Sequence, residues 1–175
     1  MTVTFSAPTL TTDRLTLRAP QLGDFDVLAG FYASPRSHFV GGPQTPELAW
    51  RTLAQEAGHW VLRGFGRWTV VETATQTPVG TVGLWHPEGF PERELGWDLF
   101  DGATGKGYAT EAAIAARHHA YTTLGWTTLI SLVADGNDAS ARVAKRLGAT
   151  RDGDFTHERY GPMQVWRHPG PEARA

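Results

Sequence analysis

A glycine-rich segment with one lysine, residues 101–107 (DGATGKG), lies between a predicted strand and a predicted helix. Glycines let the backbone approach an anion closely and adopt positive φ angles. The N–H groups of the first turn of the following helix, together with its dipole, favour negative charge at this point. The segment therefore suits a diphosphate, although a simple strand-to-helix connection explains these residues equally well. The segment contains no six-residue GxGxxG pattern. It also departs from the Walker pattern, because Gly107 instead of Ser or Thr follows Lys106.

Two adjacent histidines, His118 and His119, lie on the helix that follows this turn. Adjacent helical residues point about a hundred degrees apart, since a helix has 3.6 residues per turn. No Asp, Glu or His follows four residues later to complete a ligand set. We therefore expect no metal site, and we expect the pair to face solvent.

Hydrophobic periodicity and turn residues place the elements that must hold the glycine-rich turn. A run of antiparallel strands precedes it, and a strand-helix-strand unit follows, which together require a mixed sheet with helices on both faces. The pattern predicts an α+β domain with a mixed, mostly antiparallel sheet of six to seven strands and four helices. The predicted helices cover about 24–33, 47–63, 108–124 and 138–147, and the predicted strands cover 14–18, 68–71, 79–85, 94–100, 127–133 and 163–166.

Composition restricts the class of protein. The 175 residues, 41% of them hydrophobic, fit a single folded domain over 1–175 with a polar leader (1–12) and a short tail (168–175). A net charge of −2 without long runs of one sign argues against nucleic acid or an anionic membrane as a partner. The absence of cysteine excludes disulfides and thiolate chemistry. Because the leader lacks a basic start and an apolar run, we expect neither signal peptide nor membrane anchor, and a cytoplasmic location.

Two segments resemble signatures of the GNAT superfamily of N-acetyltransferases. Residues 105–112 (GKGYATEA) resemble the Gln/Arg-x-x-Gly-x-Gly/Ala turn whose N–H groups bind the pyrophosphate of coenzyme A. Residues 136–149 (GNDASARVAKRLGA) resemble the family's Asn-x-x-Ser helix, which lines the coenzyme. Residues 12–18 (TDRLTLR) are similar to the first strand of the branch containing the ribosomal-protein alanine N-acetyltransferases. The resemblance thus spans nearly the whole chain and implies a GNAT-like fold.

The resemblance implies acetyl-CoA as cosubstrate, no metal, and a primary amine as acceptor, on either a protein N-terminus or a small molecule. It departs from the family at Thr104, where Gln or Arg is usual, so a side-chain contact to the pyrophosphate is shortened or absent there. Lys106 is a candidate to supply charge instead. The residues that the resemblance assigns to coenzyme binding are Leu99 through its backbone, Thr104, Gly105, Lys106, Gly107, Tyr108, Ala109, Asn137 and Ser140.

Direct attack of an amine on a thioester needs a base for the ammonium and an acid for the departing thiolate. Glu94 lies on the strand before the turn, where many relatives carry Glu, and is the expected base. His86 is the rival base, because its ordinary pKa lies near neutrality. Ser140 matches the family position that faces the coenzyme sulfur and is the candidate acid. Asn137 fits either a coenzyme contact or a helix cap.

Three functions remain open from the sequence. An N-acetyltransferase needs Glu94 and Ser140, whereas a non-catalytic acyl-CoA-binding sensor on the same fold needs only the Gly107 turn and Asn137. A pure interaction module would require both signatures to coincide by chance. The acceptor is not fixed, because its selectivity would come from 36–45, the first two helices and 87–93. Homodimer formation is also left open.

Overall fold

The computed structural model describes residues 7–172, which form an eight-stranded sheet and four α-helices. Short 3-10 turns at Leu22–Asp24 and Pro35–Val40 flank the first helix. In chain order the elements are β1 (Leu10–Thr11), β2 (Leu15–Arg18), α1 (Phe25–Ala33), α2 (Pro46–Arg63), β3 (Arg67–Glu72), β4 (Thr77–Trp85), β5 (Glu94–Leu99), α3 (Tyr108–Thr122), β6 (Ile130–Ala134), α4 (Asp138–Arg146), β7 (Thr150–His157) and β8 (Gly161–Arg167).

The strand order in the sheet is β1-β2-β3-β4-β5-β6-β8-β7. All neighbouring pairs are antiparallel except β5 and β6, which are parallel and are joined through α3. This confirms the predicted α+β class with a mixed, mostly antiparallel sheet. No helix within residues 7–172 has the length and apolarity needed to span a bilayer.

Two strands were missed by the sequence pattern. β1 lies in the segment predicted to be a polar leader, and β7 (TRDGDFTH) is almost entirely exposed. β7 has no apolar alternation to read, because its backbone pairing with β8 in a hairpin stabilises it rather than burial of one face. Residues 1–6 of the leader and 173–175 of the tail lie outside the described residues.

Helix α3 covers one face of the sheet with small side chains. Five alanines at helical spacing are buried and let the helix approach the strands closely. All of them except Ala109 pack against large apolar residues of β2, β3, β4 and β5, which form the main hydrophobic core. The alanines are Ala109, Ala112, Ala113, Ala116 and Ala120, and the strand residues include Leu15, Leu17, Val70, Val82, Leu84 and Leu95.

The expectation that His118 and His119 both face solvent is wrong for His119. His118 is exposed, but His119 is 9% exposed and lies edge-on to the indole of Trp68, with 5.6 Å between ring centroids. Burial lowers its pKa below the ordinary value. His119 is buried because it lies three residues after Ala116, on the helix face that meets the sheet.

The opposite face of the sheet carries α1 and α2. Val70 points to the α3 core, so its neighbour Thr69 points the other way, where its hydroxyl donates to Asp24 Oδ2 at 2.7 Å. Helix α2 begins at a Thr45 cap, whose hydroxyl oxygen accepts from the Leu48 N–H, and ends at Gly64 in the left-handed conformation. Glu56 of α2 lies 3.4 Å from Arg67, which is two residues before Thr69 on β3, so α2 reaches the same face as Thr69.

Replacing Ala112 by Leu tests the close approach of α3. Ala112 is fully buried, so three added carbon atoms must displace the sheet or the helix. We expect Ala112→Leu to lower the free energy of unfolding by about 1–3 kcal/mol, measured by urea denaturation. Ala54→Leu at an exposed position of α2 is the matched control and should change stability by less than about 0.5 kcal/mol. Equal stabilities of the two variants would contradict this packing.

Candidate active site

The parallel strands β5 and β6 are paired at one end only. Their register contains the single pair Glu94 and Ile130, where the Ile130 N–H donates to the Arg93 carbonyl at 3.1 Å. Beyond it, side chains take the place of the ladder. The Leu132 N–H donates to Glu94 Oε1 at 3.1 Å, and the Ser131 hydroxyl donates to the Leu95 carbonyl at 2.6 Å. The strands therefore diverge and leave a gap in the middle of the sheet.

A buried series of hydrogen-bonded side chains stabilises the separated strands. Ser131 Oγ lies 2.8 Å from His168 Nε2, and His168 Nδ1 lies 3.3 Å from Arg117 Nη1. Because the Ser131 proton is directed at Leu95, the network assigns the imidazole proton to Nε2 and leaves Nδ1 to accept from Arg117. Burial lowers the pKa of His168 to about 3, so the ring is neutral. Arg117 also donates to the Leu147 carbonyl at 2.6 Å, which ties the series to the end of α4.

The edge of β5 that faces the gap carries the backbone groups of Leu99. The Phe100 N–H donates to Val79 of β4 at 2.9 Å. Since hydrogen-bonding directions alternate along an antiparallel strand, the N–H and C=O of Leu99 and Trp97 point away from β4 and into the gap. The Leu99 carbonyl accepts from Arg36 Nη2 at 3.0 Å. The structure thus places Leu99 where an extended ligand can pair with β5.

The glycine-rich turn joins this edge to α3. Gly102, Gly105 and Gly107 all have positive φ, and a Cβ at Gly102 or Gly105 would meet nothing within 4 Å. Gly107 is the residue before the first helical turn, and no side chain caps that end of α3. The N–H groups at the start of the helix therefore have no side-chain cap, and uncapped N–H groups at a helix N-terminus can bind an anion.

The predicted residues of this turn divide into exposed and buried side chains. Thr104 and Lys106 are exposed, whereas the side chains of Tyr108 and Ala109 are buried in the core. Tyr108 donates its hydroxyl to Glu72, so only its backbone faces the turn. At positions 108 and 109, therefore, only backbone groups are available to contact a ligand at the turn.

Arg14 is a neighbour of the turn that the sequence argument did not assign. Its Nη1 donates to the Lys106 carbonyl at 3.0 Å, and its guanidinium lies 4.9 Å from the centroid of the Tyr108 ring. Its Nε donates to Glu111 Oε2 at 2.7 Å. Arg14 thereby holds the turn against the first turn of α3. Arg14 lies far from the turn in the sequence, so no local pattern indicates this contact.

An open cavity lies where β5 and β6 diverge and contains about 950 Å³ of empty space, including solvent at its mouth. Glu94, Asn137 and Ser140 line it together, so the structure brings three of the predicted residues to one site. His86 is not among the lining residues, and its backbone N–H donates to His59 Nε2 at 3.1 Å. Leu99 and the glycine-rich turn lie beyond the cavity, at the end of β5.

Glu94 has the chemistry of a base at neutral pH. It is 9% exposed, and burial raises the pKa of its carboxyl to about 7, although the hydrogen bond from Leu132 acts in the opposite direction. The sequence indicated Glu94 as a site residue, but the raised pKa of its carboxyl is visible only in the structure. A solvated strand residue would keep its ordinary pKa.

Asn137 and Ser140 are joined at the start of α4. Asn137 Oδ1 accepts from the Ser140 N–H at 3.2 Å, so the capping alternative for Asn137 is present in the structure. Both residues are half-buried and face the cavity. The cap fixes Ser140 in place and leaves its hydroxyl available to the cavity.

A buried charged cluster in the same cavity was not predicted. Arg67 of β3 donates to Asp98 of β5 at 2.5 Å and lies 3.4 Å from Glu56 of α2. Burial raises the pKa of Glu56 to about 7, and the two carboxylates raise the pKa of Arg67 above its ordinary value despite its burial. The three residues come from separate elements, so no spacing in the sequence marks them. Among the residues that the structure describes, no group of three or more His, Cys, Asp and Glu is arranged to hold a metal ion.

Comparison with known proteins identifies one family over most of the chain. The protein-family model described as acetyltransferase (GNAT) domain matches residues 14–150. The chain is 29% identical over 149 residues to the uncharacterized N-acetyltransferase p20 of Bacillus licheniformis, covering 83% of this chain and 84% of that protein. The solved acetyltransferase of Agrobacterium tumefaciens is 40% identical, with a TM-score of 0.85 over 96% of this chain and 98% of that one. The ribosomal-protein-S5-alanine acetyltransferase of Vibrio fischeri shares the fold, with a TM-score of 0.71 at 17% identity over 97% and 100% of the two chains.

The buried series of hydrogen-bonded side chains is tested by Ser131→Ala. The change leaves the Leu95 carbonyl and His168 Nε2 without their partner in a buried place, which costs about 1–3 kcal/mol for each unsatisfied group. We expect a loss of about 2 kcal/mol or more in urea denaturation. Thr122→Ala, which removes an exposed hydroxyl bonded only to the His118 carbonyl, is the control and should have little effect. A Ser131→Ala protein as stable as this control would show that Ser131 does not hold the strands.

Proposed function

Because the chain belongs to the GNAT acetyltransferase family, we propose that it transfers the acetyl group of acetyl-CoA to a primary amine by direct attack. The observation that carries this proposal is Glu94, a buried carboxyl with a pKa near 7 in a cavity at the strand gap. A base is most effective when its pKa lies near the working pH. Glu94 meets that condition without a metal or a second acid.

The residues present fit coenzyme A along one continuous path. The backbone groups of Leu99 and Trp97 face the gap, where they can pair with the amides of pantetheine as an added strand does. The uncapped first turn of α3, preceded by Gly105 and Gly107, can accept the pyrophosphate. Acetyl-CoA supplies the activated acetyl group. Thr104 adds at most a short side chain here, so the backbone and Lys106 carry the binding.

Glu94 acts as the base in this proposal. The incoming amine is protonated at neutral pH and cannot attack until a proton leaves its nitrogen. The Glu94 carboxylate takes that proton, held in position by the N–H of Leu132. The neutral nitrogen then forms its bond to the acetyl carbon, and the carbon–sulfur bond breaks. The second proton that the nitrogen loses on becoming an amide balances the proton that the departing thiolate takes up. His86 is the weaker candidate, because it does not line the cavity.

Ser140 is the proposed acid for the thiolate that leaves. It lines the same cavity as Glu94, and the Asn137 cap fixes its backbone. The sensor alternative receives no support from this arrangement, since a sensor has no need of a buried carboxyl that titrates near neutrality. Membership of the family does not distinguish between a protein N-terminus and a small amine as the acceptor.

The pH profile of Glu94→Gln tests the base. With butylamine in excess of the enzyme, log kcat/KM for the amine should rise with pH up to a bend at about 7 and level off above it, because Glu94 must be ionised to take the proton of an amine that arrives as an ammonium ion. Glu94→Gln should lower kcat/KM at pH 7 by about 100-fold or more and remove the bend, leaving the slope of the amine alone. Glu88→Gln, on an exposed side chain, is the control. A bend that persists in Glu94→Gln would assign the base to another group.

The turn is tested with Gly105→Trp. A Cβ at Gly105 points into open space, so the indole should fill the anion site without entering the core. We expect the Kd for coenzyme A, measured by titration calorimetry, to rise by about tenfold or more, which corresponds to 1.4 kcal/mol. Gly64→Trp is the matched control, because Gly64 also has positive φ and open space but lies at the end of α2. Unchanged affinity in Gly105→Trp would place the pyrophosphate elsewhere.

A further inference from the structure

The charged cluster opposite Glu94 contains more negative than positive charge. Arg67 Nη2 donates to Asp98 at 2.5 Å and to the Thr81 carbonyl at 3.0 Å. Glu56 adds a second carboxylate at 3.4 Å from Arg67 Nη1. One carboxylate would already balance one guanidinium, so Glu56, when it is ionised, is the surplus charge. All three side chains line the cavity and are largely withdrawn from solvent.

Glu56 is also incompletely paired. Its side chain is 5% exposed, and within the described residues its buried Oε2 has no hydrogen-bond partner. A buried carboxylate oxygen without a donor is costly to leave in place unless something else satisfies it. Arg67 Nε likewise has no partner within residues 7–172. The cluster is therefore arranged poorly for stability, and it lacks partners that a bound ligand could supply.

The floor between Glu56 and Glu94 is formed by β5. Glu94, Gly96 and Asp98 alternate along the strand and face the same side. Four strand residues span about 13 Å, so the Cα atoms of Glu94 and Asp98 are about that far apart. Gly96 lies between them without a side chain, and the Glu94 carboxyl carbon would lie 3.8 Å from a Cβ at Gly96. The Glu94 carboxylate therefore leans along the floor toward Asp98, and the cavity has a carboxylate on either side of Gly96.

The walls of this floor suit an alkyl chain. Tyr32 and Tyr160 both line the cavity, and burial raises the pKa of each phenol, so both stay neutral. Aromatic faces pack against methylene groups and also attract cations. A short chain with a positive charge at each end matches the walls and both ends of the floor.

We propose that the acceptor is a small aliphatic diamine, with one amino group at Glu94 and the other, still charged, bound by Glu56 and Asp98. This inference rests on the proposed acetyl transfer for its first amine, and it assigns Glu56 a role in binding rather than in the reaction. Only the nitrogen at Glu94 gives up protons and becomes an amide. The other ammonium keeps its proton, because the carboxylates stabilise its charge.

Binding and turnover of three probes that share a four-carbon chain test the proposal. The probes are putrescine, butylamine and aminobutanol, titrated by calorimetry into the full chain saturated with coenzyme A and assayed for thiol release with acetyl-CoA. We expect putrescine to bind at least about tenfold more tightly than butylamine, with a correspondingly lower KM. Aminobutanol tests whether a hydroxyl satisfies both Glu56 Oε2 and Arg67 Nε. Equal binding of putrescine and butylamine, or a preference for aminobutanol, would overturn the proposal.

Glu56→Gln keeps the size of the side chain and removes its charge. It should raise the KM for putrescine by about tenfold, leave its kcat within about twofold, and leave the KM for butylamine unchanged. Glu47→Gln, an exposed change on the same helix, is the matched control. An equal effect of Glu56→Gln on both amines would mean that Glu56 only supports Arg67. If the variant does not fold, the wild-type comparison of the three probes still decides.

The two proposals fail in different ways. Putrescine that binds selectively but releases no thiol from acetyl-CoA would overturn the proposed transfer and leave the diamine site standing. Thiol release with all three probes at similar KM would support the transfer and overturn the diamine site.

Discussion

The site depends on one interrupted ladder. Parallel strands normally continue their hydrogen bonds along their shared length, yet β5 and β6 stop after Glu94 and Ile130. Two side chains take over the next backbone groups: Glu94 accepts the Leu132 N–H and Ser131 donates to the Leu95 carbonyl. The backbone is thus satisfied while the strands separate. The gap that results leaves a free strand edge and a cavity, which the proposed function assigns to the coenzyme and to the acceptor, with the proposed base between them.

Holding the strands apart requires support from the rest of the fold. His168, just past β8, bonds to Ser131, and Arg117 of α3 bonds to both His168 and the end of α4 at Leu147. Helix α3 therefore serves the site at two points, since its uncapped N-terminus follows the turn and Arg117, farther along the helix, stabilises the gap. The tight packing of its alanines on the sheet keeps these two functions in register. Burying a neutral histidine and a guanidinium in a core costs desolvation free energy. This hydrogen-bonded series therefore fits a functional rather than a purely structural origin.

Local patterns in the sequence were sufficient for most of the fold. Periodicity and turn residues predicted the four helices and most strands, but β7 was missed, because its pairing with β8 leaves no alternation of buried residues to detect. The turn at Gly107 and the Asn137 helix were found because each is a continuous segment. The cluster of Glu56, Arg67 and Asp98 could not be found, since its members are brought together only by the packing of α2 on the sheet. The divergence of β5 and β6 is equally hidden, because Ser131 and Glu94 look like ordinary strand residues until their partners are known.

The two buried carboxyls give the cavity a property that neither has alone. Glu56 and Glu94 each have a pKa raised to about 7, and the charge of Glu56 contributes to the rise at Glu94. In the empty cavity a proton on either group relieves the cost of burial and the repulsion between them. A bound cation favours the charged form of both carboxyls, so their pKa values must fall when it enters. On the proposed mechanism, the acceptor that arrives as an ammonium ion therefore brings Glu94 to the ionised form that can take its proton. A neutral acceptor would lack this effect, which links the choice of substrate to the readiness of the base.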